Sequence, residues 1–478
     1  MTTRTKIVAT IGPSSSTRDV LRRMIDSGVH VFRLNFSHGS HEEHSRLVAD
    51  IRTVSRELDR HVGILQDLCG PKMRLQPLPG DSVQCELNDE FTLVAGTAAT
   101  GPRELACSYR ELPNDLKVGE VVLFADGAVA MSVVGTSSDR ARLRVTQPGW
   151  LRSRQGLNVP GSALAVSSLT EKDREDLDWT SRHAGDIDFV ALSFVRNADD
   201  VVQLRRELRT RNCAARVVVK IEKPQAVEHL DEIITVSDAV MVARGDLGVE
   251  MDVQRVPGVQ KRIIALCNQA YRPVITATQM LNSMEHSARP TRAEASDVFN
   301  AVLDGTDAVM LSGESAVGDY PLDAVRMMRD ICVEAETYLK VTGKEVPSRR
   351  FAPRLDGLDP TTAAAVDAAC LMTERLDAAL IVVATDSGRS ALALGNRRPG
   401  AMILALAHTE AVARKLSLCW GVTAIVLPDM PWAERVLAFG IEWAKAHEFV
   451  KAGQHAVLLR GHVADRPGIR AVLAGAVE

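Results

Sequence analysis

The chain has 478 residues, 46% of them hydrophobic and 25% charged, with 57 Lys and Arg against 61 Asp and Glu for a formal net charge of −4. This length suits about three domains around sizeable cores, and the charge balance excludes a global pull toward nucleic acid or an anionic membrane. No apolar run reaches the ~18 residues of a membrane helix, the run before Gly12-Pro13 is too short for a signal peptide, and Cys69, Cys85, Cys107, Cys213, Cys267, Cys332, Cys370 and Cys419 lack CxxC or metal-ligand spacing, as expected of reduced thiols in a cytoplasmic protein.

Apolar strand patterns fall at 7–11, 29–34, 62–66, 187–193, 217–222, 239–243, 273–277 and 308–311, with helical patterns between most of them, including 20–27, 41–58, 201–211, 226–236, 259–270 and 292–304. Eight strand-helix units predict an α/β fold, a (β/α)₈ barrel rather than an open sheet. After the third strand about ninety residues pass before a helix near Thr170, and residues 71–161 change to short alternating runs with frequent turns such as Leu78-Pro79-Gly80-Asp81. This predicts a small β lid domain inserted on the catalytic face of a barrel made of 1–70 and 162–345. A helix at 322–342 and a Pro- and Arg-rich linker at 346–360 lead into a third alternation, with helices at 361–375, 389–397, 409–416 and 431–446 and strands at 379–384, 402–405, 423–427 and 456–459. Residues 346–478 are therefore expected to form a separate open α/β domain.

The barrel strands end in polar residues, and α/β barrels bind ligands at that end. Alternation along 217–222 sends Lys220 and Glu222 to the same side, and the next strand ends at Arg244-Gly245-Asp246. Glu222 and Asp246 could converge on one hard cation, Mg²⁺ or Mn²⁺, beside an anion drawn to Lys220; a salt-bridged strand end with a glycine turn would read the same way. Arg33, Asp67, Ser193, Thr278, Ser312 and Glu314 stand at the other ends. A ring of cations, carboxylates and hydroxyls at one mouth suits an anionic, metal-bound substrate.

The segments TKIVATIGPSS (5–15), RLNFSHG (33–39), GPKMR (70–74), KIEKPQAVEHLDEI (220–233), MVARGDLGVE (241–250), ATQMLNSM (277–284), the block 289–321 and SGRSA (387–391) resemble the pyruvate kinase family over nearly the whole chain. The resemblance implies phosphoryl transfer from phosphoenolpyruvate to ADP, giving pyruvate and ATP, in a homotetramer. It places Glu222 and Asp246 on the divalent metal, Lys220 and Arg33 on the transferring phosphate, and the amides of Gly245 and Asp246 with Thr278 on the substrate carboxylate. Pro13, Asn35, His38 and Arg74 match nucleotide contacts, and Ser312 and Glu314 match the water network near Thr278 that serves enolate protonation. A Mg²⁺-enolate lyase on a similar barrel shares the carboxylate pair but needs neither the lid nor the arginines, and a non-catalytic metabolite sensor would not need every matched position intact.

Four departures bear on function. Many family members bind K⁺ through positions matching Asn35, Ser37, Asp67 and the backbone of Leu68, and carry Glu where this chain has Lys72. The lysine ammonium is expected to replace the cation near Asp67, so K⁺ is not required; a solvated hinge lysine is the plain alternative. Asn197 replaces a common lysine, and Ala125 precedes Asp126-Gly127 where a further Asp is common. In the last domain Thr385, Ser387, Gly388, Arg389 and Ser390 form a hydroxyl-rich turn before a helix, which would suit either a phosphorylated effector or an ordinary helix cap. The tail Arg460-Gly461-His462 lacks the Gly- and Thr-rich loop of members that bind a sugar bisphosphate.

Overall fold

The computed structural model describes residues 3–96, 98–99, 101, 103–162, 166–343, 358–429, 433–460 and 470–478, without the side chain of Asp126. Eight parallel strands, β1 (Lys6–Thr10), β2 (Val31–Asn35), β3 (Gly63–Asp67), β4 (Phe189–Leu192), β5 (Arg216–Ile221), β6 (Ala239–Ala243), β7 (Val274–Ala277) and β8 (Ala308–Leu311), close a barrel in sequence order, with β8 paired to β1. All eight expected strands form. The second begins at Val31 instead of Val29, because the Val29 amide still closes the preceding helix on Met24 O. Ser193 and Glu222 stand just past their strands, as polar residues at a mouth do.

Local signals explain the helical ring. Helices His41–Glu57, Glu171–Arg182 and Arg292–Asp304 start in reciprocal capping boxes, Ser40 with Glu43, Thr170 with Asp173 and Thr291 with Glu294. The predicted helix over 226–236 is instead two pieces, Pro224–Glu228 and Leu230–Val236. Pro224 starts the first early at a position where its fixed φ is favourable, and His229 leaves helical geometry between them (φ −103°, ψ 23°).

Two shells of apolar side chains hold the barrel. One lies between strands and helices, the other fills the interior with Val8, Val31, Leu65, Phe189, Met241 and Ile275. Leu418 of the carboxy-terminal domain, fully buried, completes that interior from below. Gly63 is needed at the contact, since a Cβ there would collide with Ser417 Oγ.

Between β3 and Glu171 lie a two-stranded and a six-stranded sheet with their own apolar core, the expected lid. The last domain is a sheet of β9 (Leu380–Thr385), β10 (Met402–Ala407), β11 (Val422–Val426), β12 (His455–Arg460) and β13 (Ala471–Ala476), in the order β11-β10-β9-β12-β13. Strand β13, not anticipated, pairs antiparallel at the edge. Most of the expected linker lies outside the described residues, and Pro360, placed at its end, begins helix Pro360–Arg375.

Candidate active site at the barrel mouth

Three charges from different strands interlock in the mouth. Arg33, on β2, donates from Nε to Asp67 Oδ2 at 2.7 Å and from Nη1 to Thr10 Oγ1 at 3.0 Å. Lys220, on β5, lies 2.7 Å from Glu222 Oε1 and 3.5 Å from Asp67 Oδ1, and its Nζ donates to Ser193 Oγ at 2.9 Å. Strand alternation thus does bring Lys220 and Glu222 to one side. The backbone N–H of Phe194 donates to Glu222 Oε2 at 2.7 Å.

Burial sets the electrostatics. It would push the Asp67 carboxyl up, but the Lys220 and Arg33 charges outweigh it and hold the group below its usual value. Burial opposes charge on Lys220 as well, yet Asp67, Glu222 and Asp246 raise it above the ordinary lysine range. Lys220 therefore stays cationic at neutral pH. Glu222 ends above its usual value, raised by burial and by the Asp246 charge although Lys220 pulls the other way. The Asp246 side chain makes no hydrogen bond or ion pair among the described residues, and its field reaches both Lys220 and Glu222.

The loop after β7 is strained. Thr278 has φ +65° and Gln279 φ +53°; left-handed backbone is costly for a β-branched residue such as threonine. Arg244 clamps the turn, donating from Nη2 to the carbonyls of Thr278 (2.7 Å) and Gln279 (3.1 Å) while Nη1 pairs with Asp297 at 2.5 Å. Thr278 Oγ1 accepts from Gly245 N at 2.7 Å and donates to Ala277 O at 2.6 Å, so the amide matched to the substrate carboxylate is here bonded to the hydroxyl matched to the same group. Glu314, almost fully buried, accepts from Leu281 N at 3.1 Å and Ser312 N at 2.7 Å and braces the same loop. Ser312 Oγ is buried without a hydrogen-bond partner among the described residues.

Arg74 sits at the lid edge, bridged to Gly156, with Nη1 donating to Arg154 O at 3.3 Å. Asn35 Oδ1 accepts from Ser37 N at 3.2 Å, which shapes the turn that leaves His38 exposed; Pro13 is exposed too. Lys72 forms no ion pair with Asp67 among the described residues. Its charge acts on His38, which partial burial and then Arg74, Lys72 and Arg33 hold below its usual value. The Leu68 carbonyl already accepts from Ser193 Oγ at 2.8 Å. Asn197 caps helix Ala198–Thr210. The lid's return strand is tied to the mouth through Glu250 Oε1, which accepts from Asn158 Nδ2 at 2.9 Å and Lys223 Nζ at 2.6 Å.

In the last domain Thr385, Ser387, Arg389 and Ser390 line one small cavity of about 230 Å³ with Asp359, Thr362 and Arg470. Gly388 supplies the turn at φ +84°, where its N–H donates to Thr385 Oγ1 at 3.0 Å.

Sequence profiles described as "Pyruvate kinase, barrel domain" and "Pyruvate kinase, alpha/beta domain" match residues 2–325 and 363–470. This chain belongs to the pyruvate kinase family. The pyruvate kinase of Sporosarcina psychrophila is 39% identical over 96% of this chain and 78% of its own length, and that of Geobacillus stearothermophilus 38% identical over the same shares. A crystal structure of a pyruvate kinase from Cryptosporidium parvum superposes with a TM-score of 0.92 at 33% identity, covering 100% of this chain and 96% of that one. The chain is thus a phosphotransferase of glycolysis, acting on phosphoenolpyruvate and ADP. Asp67, Ser193, Phe194 and Arg244 are parts of the mouth to which the sequence alone assigned no such contacts. Each lies in or beside a quoted family segment or strand end, and only the closed barrel shows what it touches.

Proposed function

We propose that the mouth moves the phosphoryl group from phosphoenolpyruvate to ADP with Lys220 and Arg33 holding the group in flight. The observation that carries this reading is the buried cluster of Lys220, Arg33, Asp67 and Glu222: a lysine kept cationic between carboxylates, at the end of the barrel where substrates bind. In phosphoryl transfer the protein contributes mainly position and charge. Glu222 and Asp246 fit a Mg²⁺ (or Mn²⁺) ion, which commonly takes one or two carboxylates and completes its shell with water and substrate oxygens. Once bound, the metal neutralises charge on the phosphates and the enolate. Gly245 and Asp246 N–H with Thr278 would receive the substrate carboxylate, which requires Gly245 N to exchange the Thr278 hydroxyl for substrate. The strained Thr278 turn, clamped by Arg244 and Glu314, keeps that hydroxyl aimed inward, and we assign Thr278, through water and with Ser312 near, to enolate protonation. Pro13, Asn35, His38 and Arg74 would meet the nucleotide, with Arg74 carried by the lid (71–161).

Lys72 would make K⁺ dispensable by placing its charge at the Asn35–His38 turn. A phosphorylated effector in the Thr385–Ser390 cavity of the regulatory domain (346–478), a homotetramer and a cytoplasmic location complete the reading; no described helix is long and apolar enough to cross a membrane. Pyruvate release from phosphoenolpyruvate and Mg-ADP is measured with and without K⁺ for the wild type and Lys72→Glu. Equal wild-type rates with a K⁺-dependent variant support the assignment; a wild type active only with K⁺ removes the lysine from it.

A further inference from the structure

The turn after β2 carries Asn35 and His38, and side chains of two helices hold its backbone from behind. Lys172, on helix Glu171–Arg182, donates from Nζ to Phe36 O at 2.8 Å and lies 2.6 Å from Asp176 Oδ2. His41 Nε2 lies 2.8 Å from the other oxygen, Asp176 Oδ1, so one buried carboxylate joins the two helices behind the turn. His44, on helix His41–Glu57, places Nε2 3.0 Å from His38 O. Its ring stacks on Phe36 with 4.1 Å between centroids and 11° between planes, and Trp179 meets the same phenyl ring edge-on at 5.0 Å. Trp179 Nε1 in turn donates to His41 O at 3.0 Å and to Ser45 Oγ at 2.9 Å.

This arrangement fixes where His44 carries its proton. A carbonyl only accepts, so the hydrogen is on Nε2, and burial holds the imidazole below its usual value, which keeps it neutral at neutral pH. Nδ1 is then an acceptor, buried and without a hydrogen-bond partner among the described residues. An unpartnered buried nitrogen is a cost that a phenylalanine, stacking equally on Phe36, would not carry. What the histidine adds at this position is its donor to His38 O. Space on that side is tight as well: a Cβ on Gly39, which has φ +77°, would lie 3.4 Å from His44 Nε2.

We propose that His44 and Lys172 are positioning residues for the nucleotide, which orient Asn35 and His38 by holding the carbonyls of His38 and Phe36. The inference rests on the assignment of Asn35 and His38 to ADP. Two carbonyls two residues apart, each held from a different helix, leave the peptide units between them little freedom to rotate, and Asp176 makes the two helices one support. A turn ordered in advance saves the ordering that ADP would otherwise have to impose on it.

KM for ADP, KM for phosphoenolpyruvate, kcat and the denaturation midpoint are measured for variants of His44, Lys172, His38 and Asn35. His44→Phe keeps the stacking ring and removes the donor; KM for ADP should rise about 3- to 10-fold, with KM for phosphoenolpyruvate within about twofold of wild type. His44→Gln, whose amide can donate to the same carbonyl, should recover most of that loss. Lys172→Met, at an exposed position, should raise KM for ADP about tenfold or more because its donor is charged, and Lys172→Arg should fall between. A purely structural role would instead lower the midpoint and raise both KM values together, and that result would overturn the proposal. His38→Ala and Asn35→Ala test the nucleotide assignment separately. A raised KM for ADP in either of them beside unchanged values in both His44→Phe and Lys172→Met removes the positioning role alone. Unchanged KM for ADP in His38→Ala and Asn35→Ala takes the turn out of the nucleotide site, and the proposal with it.

Discussion

The two ends of the barrel spend their buried charges differently. At the base the charges that join the two domains have fixed protein partners. Asp188 is held by Arg52 (2.7 Å), by Arg414 of the other domain (2.9 Å) and by Ile64 N (2.9 Å), while Arg398 donates to the carbonyls of Gly305 (2.6 Å) and Thr306 (2.9 Å). Leu418 seals the interior beneath them. At the mouth the charges stand in a ring with work left over: among the described residues Ser312 Oγ lacks a hydrogen-bond partner and the Asp246 side chain is unpaired, and Phe194, Thr278 and Gln279 hold positive φ. A barrel made of one repeated unit thus joins domains at one end and holds an anionic substrate at the other. The difference lies in whether the protein itself completes each polar group, because an incomplete buried group is costly and persists where a ligand finishes it.

Variants at each end should separate these roles. Glu222→Gln removes half the carboxylate pair; kcat should fall roughly 10²–10³-fold and the Mg²⁺ concentration for half-maximal rate should rise, with the denaturation midpoint nearly unchanged. Asp188→Asn removes the buried carboxylate that Arg52 and Arg414 share and should cost about 3–5 kcal/mol of stability in denaturant titration, with KM for phosphoenolpyruvate close to wild type. Leu418→Ala leaves a cavity under the barrel interior and should cost about 2–5 kcal/mol by the same measurement.

The smallest effect is a pH dependence at the base. Burial raises the Asp307 carboxyl to about 6, with Arg398 offsetting part of the rise. The folded state then holds that proton more tightly than the unfolded chain does, so stability from this group is present at low pH and is lost as pH rises from the ordinary carboxylate value through 6. The stability difference between Asp307→Asn and wild type should therefore move toward the variant across that window, by up to about 3 kcal/mol, in thermal unfolding followed at several pH values. A difference that stays flat removes Asp307 as the titrating group.

Much of this was legible in the chain itself. The eight apolar strands, the turn-rich insert after the third and the second alternation after Pro360 follow from periodicity, which local side-chain geometry enforces. The Lys220–Glu222 pairing follows from period-two alternation, and it appears at 2.7 Å. Less accessible were partners far apart in sequence, such as Arg33 with Asp67, Lys220 with Ser193, and Arg414 with Asp188. Periodicity says which face a residue takes and not what meets it there. The edge strand Ala471–Ala476 escaped because four of its six residues are Ala or Gly, with weak strand preference, and backbone pairing with β12 decides its form. Lys72 was expected near Asp67 from its place in the chain; the fold gives Asp67 to Arg33 and Lys220, and no ion pair joins Lys72 to it among the described residues.

The central claim is that Lys220 carries the transferring charge while the Asp188 cluster at the base holds the domains together. The most direct test measures pyruvate release from phosphoenolpyruvate and Mg-ADP by Lys220→Met and Asp188→Asn side by side, with unfolding curves for both. The account predicts a kcat loss on the order of 10³-fold or more for Lys220→Met with a folded protein, and near-normal kcat with lowered stability for Asp188→Asn. A Lys220→Met enzyme that turns over within a few-fold of wild type would contradict it.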